Sequence, residues 1–190
     1  TYKYLNGGPG APGFIYVAPR LADRVRPSLA GWMGHEAPFA FDLDYRPAPG
    51  IERMRVGTPP VIALTVLDAA LDAWEGVDMC DVRARSIALS ERFIAGVEAA
   101  CPGLELGSPR DPQARGSQVS FRHPHAYAVM QALIDRRMIG DFRAPDSMRF
   151  GFTPLYLDLD DIDRAVAVLA EVLDKRLWDR PEYHQKAAVT

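Results

Sequence analysis

Tyr2-Lys3-Tyr4-Leu5-Asn6-Gly7-Gly8-Pro9-Gly10 is the stretch from which the rest of the chain can be read. Lys3 is followed closely by Gly7, Gly8 and Gly10, and glycine lets a backbone take positive φ and approach a ligand closely. The order Gly-x-x-x-x-Gly-Lys is absent, so this is no P-loop, and it is no dinucleotide-binding fingerprint. A lysine so placed has two readings. One is a solvated surface residue, the commoner fate of a lysine. The other is an amine that condenses with a carbonyl in a covalent-catalysis site, flanked by a tightly folded loop. These residues by themselves leave both open.

Outward from this loop, Phe14-Ile15-Tyr16-Val17 predicts a short buried strand. Gly31-Trp32-Met33-Gly34-His35 is a second loop, and Tyr45 to Thr58, with Pro47, Pro49, Gly50 and Gly57, reads as an irregular passage. Thr58 is predicted as an N-cap with Pro59 at the first helical position. Helical spacing of apolar residues then runs from Val61 to Glu75, breaks at Gly76, and resumes from Met79 to Ala100. Beyond it, strands Leu104–Leu106, Gln118–Phe121 and Met148–Phe152 alternate with helices Ala126–Arg137 and Asp161–Lys175. The expected class is α/β, with a boundary that puts residues 1–77 in one domain and 78–190 in a small α/β domain.

The 190 residues are 48% hydrophobic and 25% charged, the composition of a globular protein with a real core. A net charge of -3 with no basic stripe argues against nucleic acid as a partner. No run of about 20 apolar residues is present, which argues against a membrane helix, and no charged-then-apolar leader is seen. Because the chain opens at Thr1 inside a chemically dense segment, it is expected to be a fragment. Cys80 and Cys101 fall on one helical stretch, about 30 Å apart at helical rise, too far to bridge. Reduced thiols and a cytoplasmic setting are therefore expected. No metal site is expected: His123-Pro124-His125 has no accompanying ligand cluster, and His35 and His184 add none. The acidic run Asp158, Asp160, Asp161, Asp163 lacks the glycine and distal glutamate of a calcium loop and reads as helix capping and dipole charge.

The run from Tyr2 to Gly10 resembles the cofactor-lysine segment of the kynureninases, pyridoxal-phosphate (PLP) enzymes of fold type I. The likeness continues in Gly31-Trp32-Met33-Gly34-His35, Gly57-Thr58-Pro59-Pro60, Gly116-Ser117-Gln118-Val119-Ser120-Phe121 and Met148-Arg149-Phe150-Gly151-Phe152-Thr153-Pro154-Leu155-Tyr156. These blocks keep the family's order and span nearly the whole chain.

The resemblance implies a fold: the C-terminal part of a PLP-transferase-like large domain over residues 1–77, then the small α/β domain. It implies a reaction, the hydrolytic cleavage of the Cβ–Cγ bond of L-kynurenine, and of 3-hydroxykynurenine, to the anthranilate and L-alanine. It also implies roles. Lys3 would bond the cofactor aldehyde and shuttle protons, and Tyr2 would hydrogen-bond the cofactor phosphate and help relay a proton. Trp32 and Thr58 would reach the phosphate from the partner subunit of a homodimer. Arg149 would clamp the substrate carboxylate with its planar fork, although an arginine at a strand end is by itself more often in a surface ion pair. The family takes its pyridine-nitrogen acid, its ring-stacking aromatic and its remaining phosphate ligands from segments before Lys3. The chain is thus expected to need that N-terminal half and to be inactive alone. Gly57-Thr58 resembles the bacterial, kynurenine-preferring form. Two rivals stand beside this reading: an aminotransferase or cysteine desulfurase of the same broad fold, and a noncatalytic paralogue that serves as a dimer partner. Trp32 and the Met148–Tyr156 block speak against the first, and the presence of Tyr2, Lys3, Trp32 and Arg149 together speaks against the second.

Overall fold

The computed structural model describes residues 1–185 and divides into two units, one from Thr1 to Glu75 and one that begins at Gly76. The first unit is mostly irregular. Its helices are α1 (Pro19–Ala22) and α2 (Val61–Leu71), with 3-10 turns at Trp32–Gly34, Gly50–Met54 and Asp72–Trp74. Among its described residues there is no strand, only a single bridge between His35 and Pro47.

Phe14-Ile15-Tyr16-Val17 forms no strand, and Tyr16 is 82% exposed. A strand needs a neighbour to take up its N–H and C=O groups, and the first unit offers none. Thr58 does not cap α2, which starts at Val61 with Pro60 in the N-cap position and no side-chain cap. The cause is the double proline: a residue before proline is held out of the α region, so Thr58 and then Pro59 stay extended and the helix can begin only after Pro60. α2 itself is apolar nearly all round, yet none of its residues is buried, and Ile62 is 84% exposed.

The second unit is built around α3 (Met79–Ala100), whose N-cap Asp78 accepts a hydrogen bond from the Cys80 N–H. Strands β1 (Glu105–Leu106), β2 (Gln118–Arg122), β3 (Asp141–Arg143) and β4 (Ser147–Gly151) form one antiparallel sheet in the order β1-β2-β4-β3. Helices α4 (Ala126–Ile134) and α5 (Leu159–Asp174) complete the layer that packs on it. α4 stops short of its expected end at Arg137, which takes φ 63°. α5 starts at Leu159 because Asp158 is its cap: Asp158 and Asp161 form a capping box, each side chain accepting the other's backbone N–H. The expected capping role of the acidic run is met.

Alternation along the strands sorts their side chains. Val119, Phe121, Met148 and Phe150 are buried, while Gln118, Ser120 and Arg149 lie on the other, polar face. Phe93 from α3 is the centre of the core, with ring centroids 6.1, 5.1 and 5.4 Å from Phe121, Phe150 and Phe152. Offset and edge-on aromatic contacts of this kind add about 0.5–1.5 kcal/mol each beyond their area burial. A Cβ on Gly96 would lie 2.9 Å from Val166, so the bare glycine is what lets α3 and α5 approach.

Candidate functional site

The segment Thr1–Gly8 closes on itself. The N–H groups of Asn6, Gly7 and Gly8 donate to the carbonyls of Lys3, Thr1 and Tyr2 at 3.1, 3.2 and 3.1 Å. Asn6 and Gly8 take φ of 60° and 74°, the left-handed turns that reverse the chain. Gly7 is buried, and a Cβ there would stand 2.8 Å from that of Ala11 and 3.1 Å from a methyl of Leu67 on α2. The Tyr4 ring lies 5.9 Å from that of Trp74. The loop is thus seated on α2 and the turn after it, and it points Tyr2 and Lys3 outward, both exposed, with the Lys3 ammonium 5.4 Å from the Tyr2 ring centroid. Attraction between a cation and a ring face keeps the two side chains together.

Trp32 and Gly57 are brought near each other through backbone packing. Buried Arg53 donates from Nε to the Ala48 carbonyl at 3.0 Å, from Nη1 to the Asp23 carbonyl at 2.6 Å and from Nη2 to the Asp23 carboxylate at 3.0 Å. These bonds fix the turn Gly50–Met54 and the chain that leaves it. Against that chain runs Gly31-Trp32-Met33-Gly34. A Cβ on Gly31 would fall 1.7 Å from the Val56 carbonyl oxygen, and one on Gly34 would fall 2.7 Å from that of Arg53. The bare backbones therefore lie against each other, and the Trp32 indole nitrogen ends 4.0 Å from where a Gly57 Cβ would be, one residue from Thr58. His35 braces the far side: its Nδ1 accepts from the Ala37 N–H at 2.9 Å, which assigns the proton to Nε2 for donation to the Asp44 carbonyl at 3.1 Å. Tyr45 adds a hydroxyl donated to the Gly34 carbonyl.

The Lys3 amine, the Tyr2 and Thr58 hydroxyls and the Trp32 N–H have no hydrogen-bond partner among the described residues. All four side chains are exposed. The first unit thus sets Lys3 beside Tyr2 and brings the Trp32 indole nitrogen near Gly57, the neighbour of Thr58 in sequence.

Arg149 belongs to the second unit. It sits in β4 on the polar face, in register with Ser120 of β2 on one side and Asp141 of β3 on the other. Its Nε donates to Asp141 Oδ1 at 2.6 Å and its Nη2 to Oδ2, and the pairing holds the guanidinium above the usual arginine range. The ion pair that an arginine in a strand suggests by itself is present beside the expected clamp role, and it is mid-strand and bidentate rather than a loose contact at a strand end.

His123 and His125 surround Trp178, with His125 stacked on the indole at 4.5 Å and His184 at 6.2 Å. Burial, and then the neighbouring His125, push the His123 imidazole below the usual histidine value. No three ligating side chains converge on a common point among the described residues. Cys80 is exposed and Cys101 buried, both unbridged. No helix among the described residues is long and apolar enough to cross a membrane.

Asp141, and the braces Arg53, Gly31 and Gly34, are not singled out by the sequence. Asp141 had a usable signal. A strand on either side of Ala144-Pro145-Asp146 places residues whose numbers sum to 290 opposite one another, and 141 faces 149.

This architecture is that of the C-terminal part of a fold-type-I PLP enzyme. A cysteine desulfurase from Thermococcus onnurineus NA1 superposes with TM-score 0.69 at 20% identity, over 84% of this chain and 42% of that one. A mutant of C-DES with glycine covalently linked to its PLP cofactor superposes with TM-score 0.64 at 24% identity, over 82% and 40%. At such identities the likeness is one of fold. Residues 82–169 match the family model described as the kynureninase C-terminal domain. The whole chain is 48% identical to a kynureninase of Burkholderia mallei and 46% identical to that of Pseudomonas fluorescens, in each case over 46% of the relative's length. The chain belongs to the kynureninase family and corresponds to its C-terminal part, spanning under half the length of the relatives it matches.

Proposed function

We propose that this chain is the lysine-bearing part of a homodimeric PLP-dependent hydrolase that converts L-kynurenine and water to anthranilate and L-alanine. The observation that carries the reading is 48% identity to a kynureninase over all of the chain, including both halves of the candidate site. The residues present fit the cofactor. An exposed amine on a closed loop suits an aldehyde, and the exposed indole N–H of Trp32 and the exposed hydroxyl of Thr58 suit a phosphate, which accepts hydrogen bonds and donates none at neutral pH.

In this reading PLP supplies an electron sink for charge developing at the substrate Cα. Lys3 holds the cofactor and carries the proton taken from Cα. Tyr2, kept beside it by the ring contact, hydrogen-bonds the phosphate and relays a proton. Trp32 and Thr58 donate to the phosphate across the dimer interface. Arg149 orients the substrate through its carboxylate, and the amino acid is then held with the Cβ–Cγ bond presented to water. The acid for the pyridine nitrogen, the stacking aromatic and the remaining phosphate ligands come from sequence before Lys3, so the chain alone is inactive. The apolar, uncovered α2 supports a requirement for further protein surface. The preferred substrate is kynurenine over 3-hydroxykynurenine, and the two unbridged thiols support a cytoplasmic setting.

Borohydride reduction of the full-length enzyme followed by peptide mapping tests the assignment. A pyridoxyl label on Lys3 with anthranilate fluorescence before reduction is the expected result. A label on any other lysine overturns it.

A further inference from the structure

Arginine is a long side chain with several rotors, and fixing them when a ligand arrives costs conformational entropy. At Arg149 part of that ordering is already done. Asp141 is its in-register neighbour across the β3–β4 hairpin and meets the Nε–Nη2 edge of the guanidinium with both carboxylate oxygens. A two-point contact fixes the plane of the group as well as its position. The Nη1 corner takes no part in this contact and remains for a ligand. Both partners stand on paired strands rather than on loops, so the geometry is backed by the sheet ladder.

Charge points the same way. An aspartate alone beside a carboxylate-binding arginine would repel the ligand, but Arg143 lies 3.7 Å from the same carboxylate. The Arg143 guanidinium thereby offsets charge on the Asp141 carboxylate that would otherwise oppose a substrate carboxylate.

We propose that Asp141 is a positioning residue that holds the guanidinium plane of Arg149 for the α-carboxylate of the amino-acid substrate; this rests on the role given to Arg149 above. The test uses the full-length enzyme with Asp141→Asn, Asp141→Glu and Arg149→Lys. Kynurenine kinetics are read beside inhibition by kynuramine, which keeps the ring, ketone and amine but lacks the carboxylate. Asp141→Asn should raise KM about tenfold and leave kcat within about threefold, the scale of one charged hydrogen-bonded contact. Kynuramine inhibition should stay within about twofold, because that ligand never uses the arginine. Asp141→Glu keeps the charge and shifts the fork, and it should give the same pattern at smaller size even where Asp141→Asn does not yield folded protein. An unchanged KM in both Asp141 variants, or equal weakening of kynurenine and kynuramine, would overturn the positioning role. Arg149→Lys separates the two ideas: if it raises KM while the Asp141 variants do not, only the Asp141 proposal falls; if it too leaves KM unchanged, the reading of Arg149 falls first.

Discussion

The two units hold themselves together in opposite ways. The second has a closed core in which Phe93, Leu89, Ile94 and Val97 of α3 are sealed under the sheet and two helices. The first has almost no buried side chains and is shaped by backbone contacts instead: glycines against carbonyls at Gly31 and Gly34, and the Arg53 fork on two carbonyls and a carboxylate. Core packing gives a unit independent stability. Glycine-made contacts give it shape, but hydrophobic burial is the main driving force for folding, and in the first unit the apolar side chains stay uncovered. It is the first unit that carries the lysine loop.

The sharpest way to break this comparison is to separate the units. A segment of residues 76–190 should unfold cooperatively on heating, and one of residues 1–75 should show no cooperative transition by circular dichroism. A sigmoidal melt from residues 1–75 would end the contrast. Next in size is a pair of truncations. Phe93→Ala should destabilise the second unit by about 3–5 kcal/mol in urea titration, as large-to-small changes in a packed core do. Ile62→Ala on α2 should change the stability of the 190-residue chain by less than about 0.5 kcal/mol. The same change in the full-length protein should cost more, if α2 is covered there. A smaller pair compares helix starts. Asp158→Ala removes a capping box and should cost about 1 kcal/mol, whereas Thr58→Ala leaves helicity unchanged, because Thr58 caps nothing.

The smallest effect is a pH dependence confined to the second unit. His123 has its folded pKa pushed below the ordinary value of 6.5, so as pH falls below that value the unfolded chain takes up the proton first. Stability is therefore full above about 6.5 and declines as pH drops. The midpoint of thermal unfolding should fall on acidification, and His123→Gln should flatten the slope; an unchanged slope in that variant would show that His123 is not responsible.

Legibility in the sequence followed the same division. Met79–Ala100 was readable to the residue because a long amphipathic pattern with an acidic cap specifies a helix locally, and the cap at Asp158 was readable for the same reason. Phe14-Ile15-Tyr16-Val17 misled because strand propensity says what a segment would do beside a partner and cannot supply one. Thr58 misled because capping preference says nothing of the steric veto of two successive prolines. Within the candidate site, Tyr2, Lys3, Trp32, Thr58 and Arg149 are singled out by a family likeness, and local chemistry alone leaves each ambiguous. Asp141 needed the hairpin register, a through-space relation that only pairing arithmetic exposes. Arg53 could not be read at all, because its partners Asp23 and Ala48 are joined to it by folding and not by spacing.

The meeting of Gly31 with Val56 also bears on how this protein can vary. Where two side chains touch, a larger residue on one side can be balanced by a smaller one on the other, and lineages drift through such exchanges. At Gly31 the opposing surface is a main-chain carbonyl, identical whatever residue occupies position 56. No second-site substitution can make room, so a change at Gly31 has no compensatory route, and the seat of Trp32 is closed to gradual exploration.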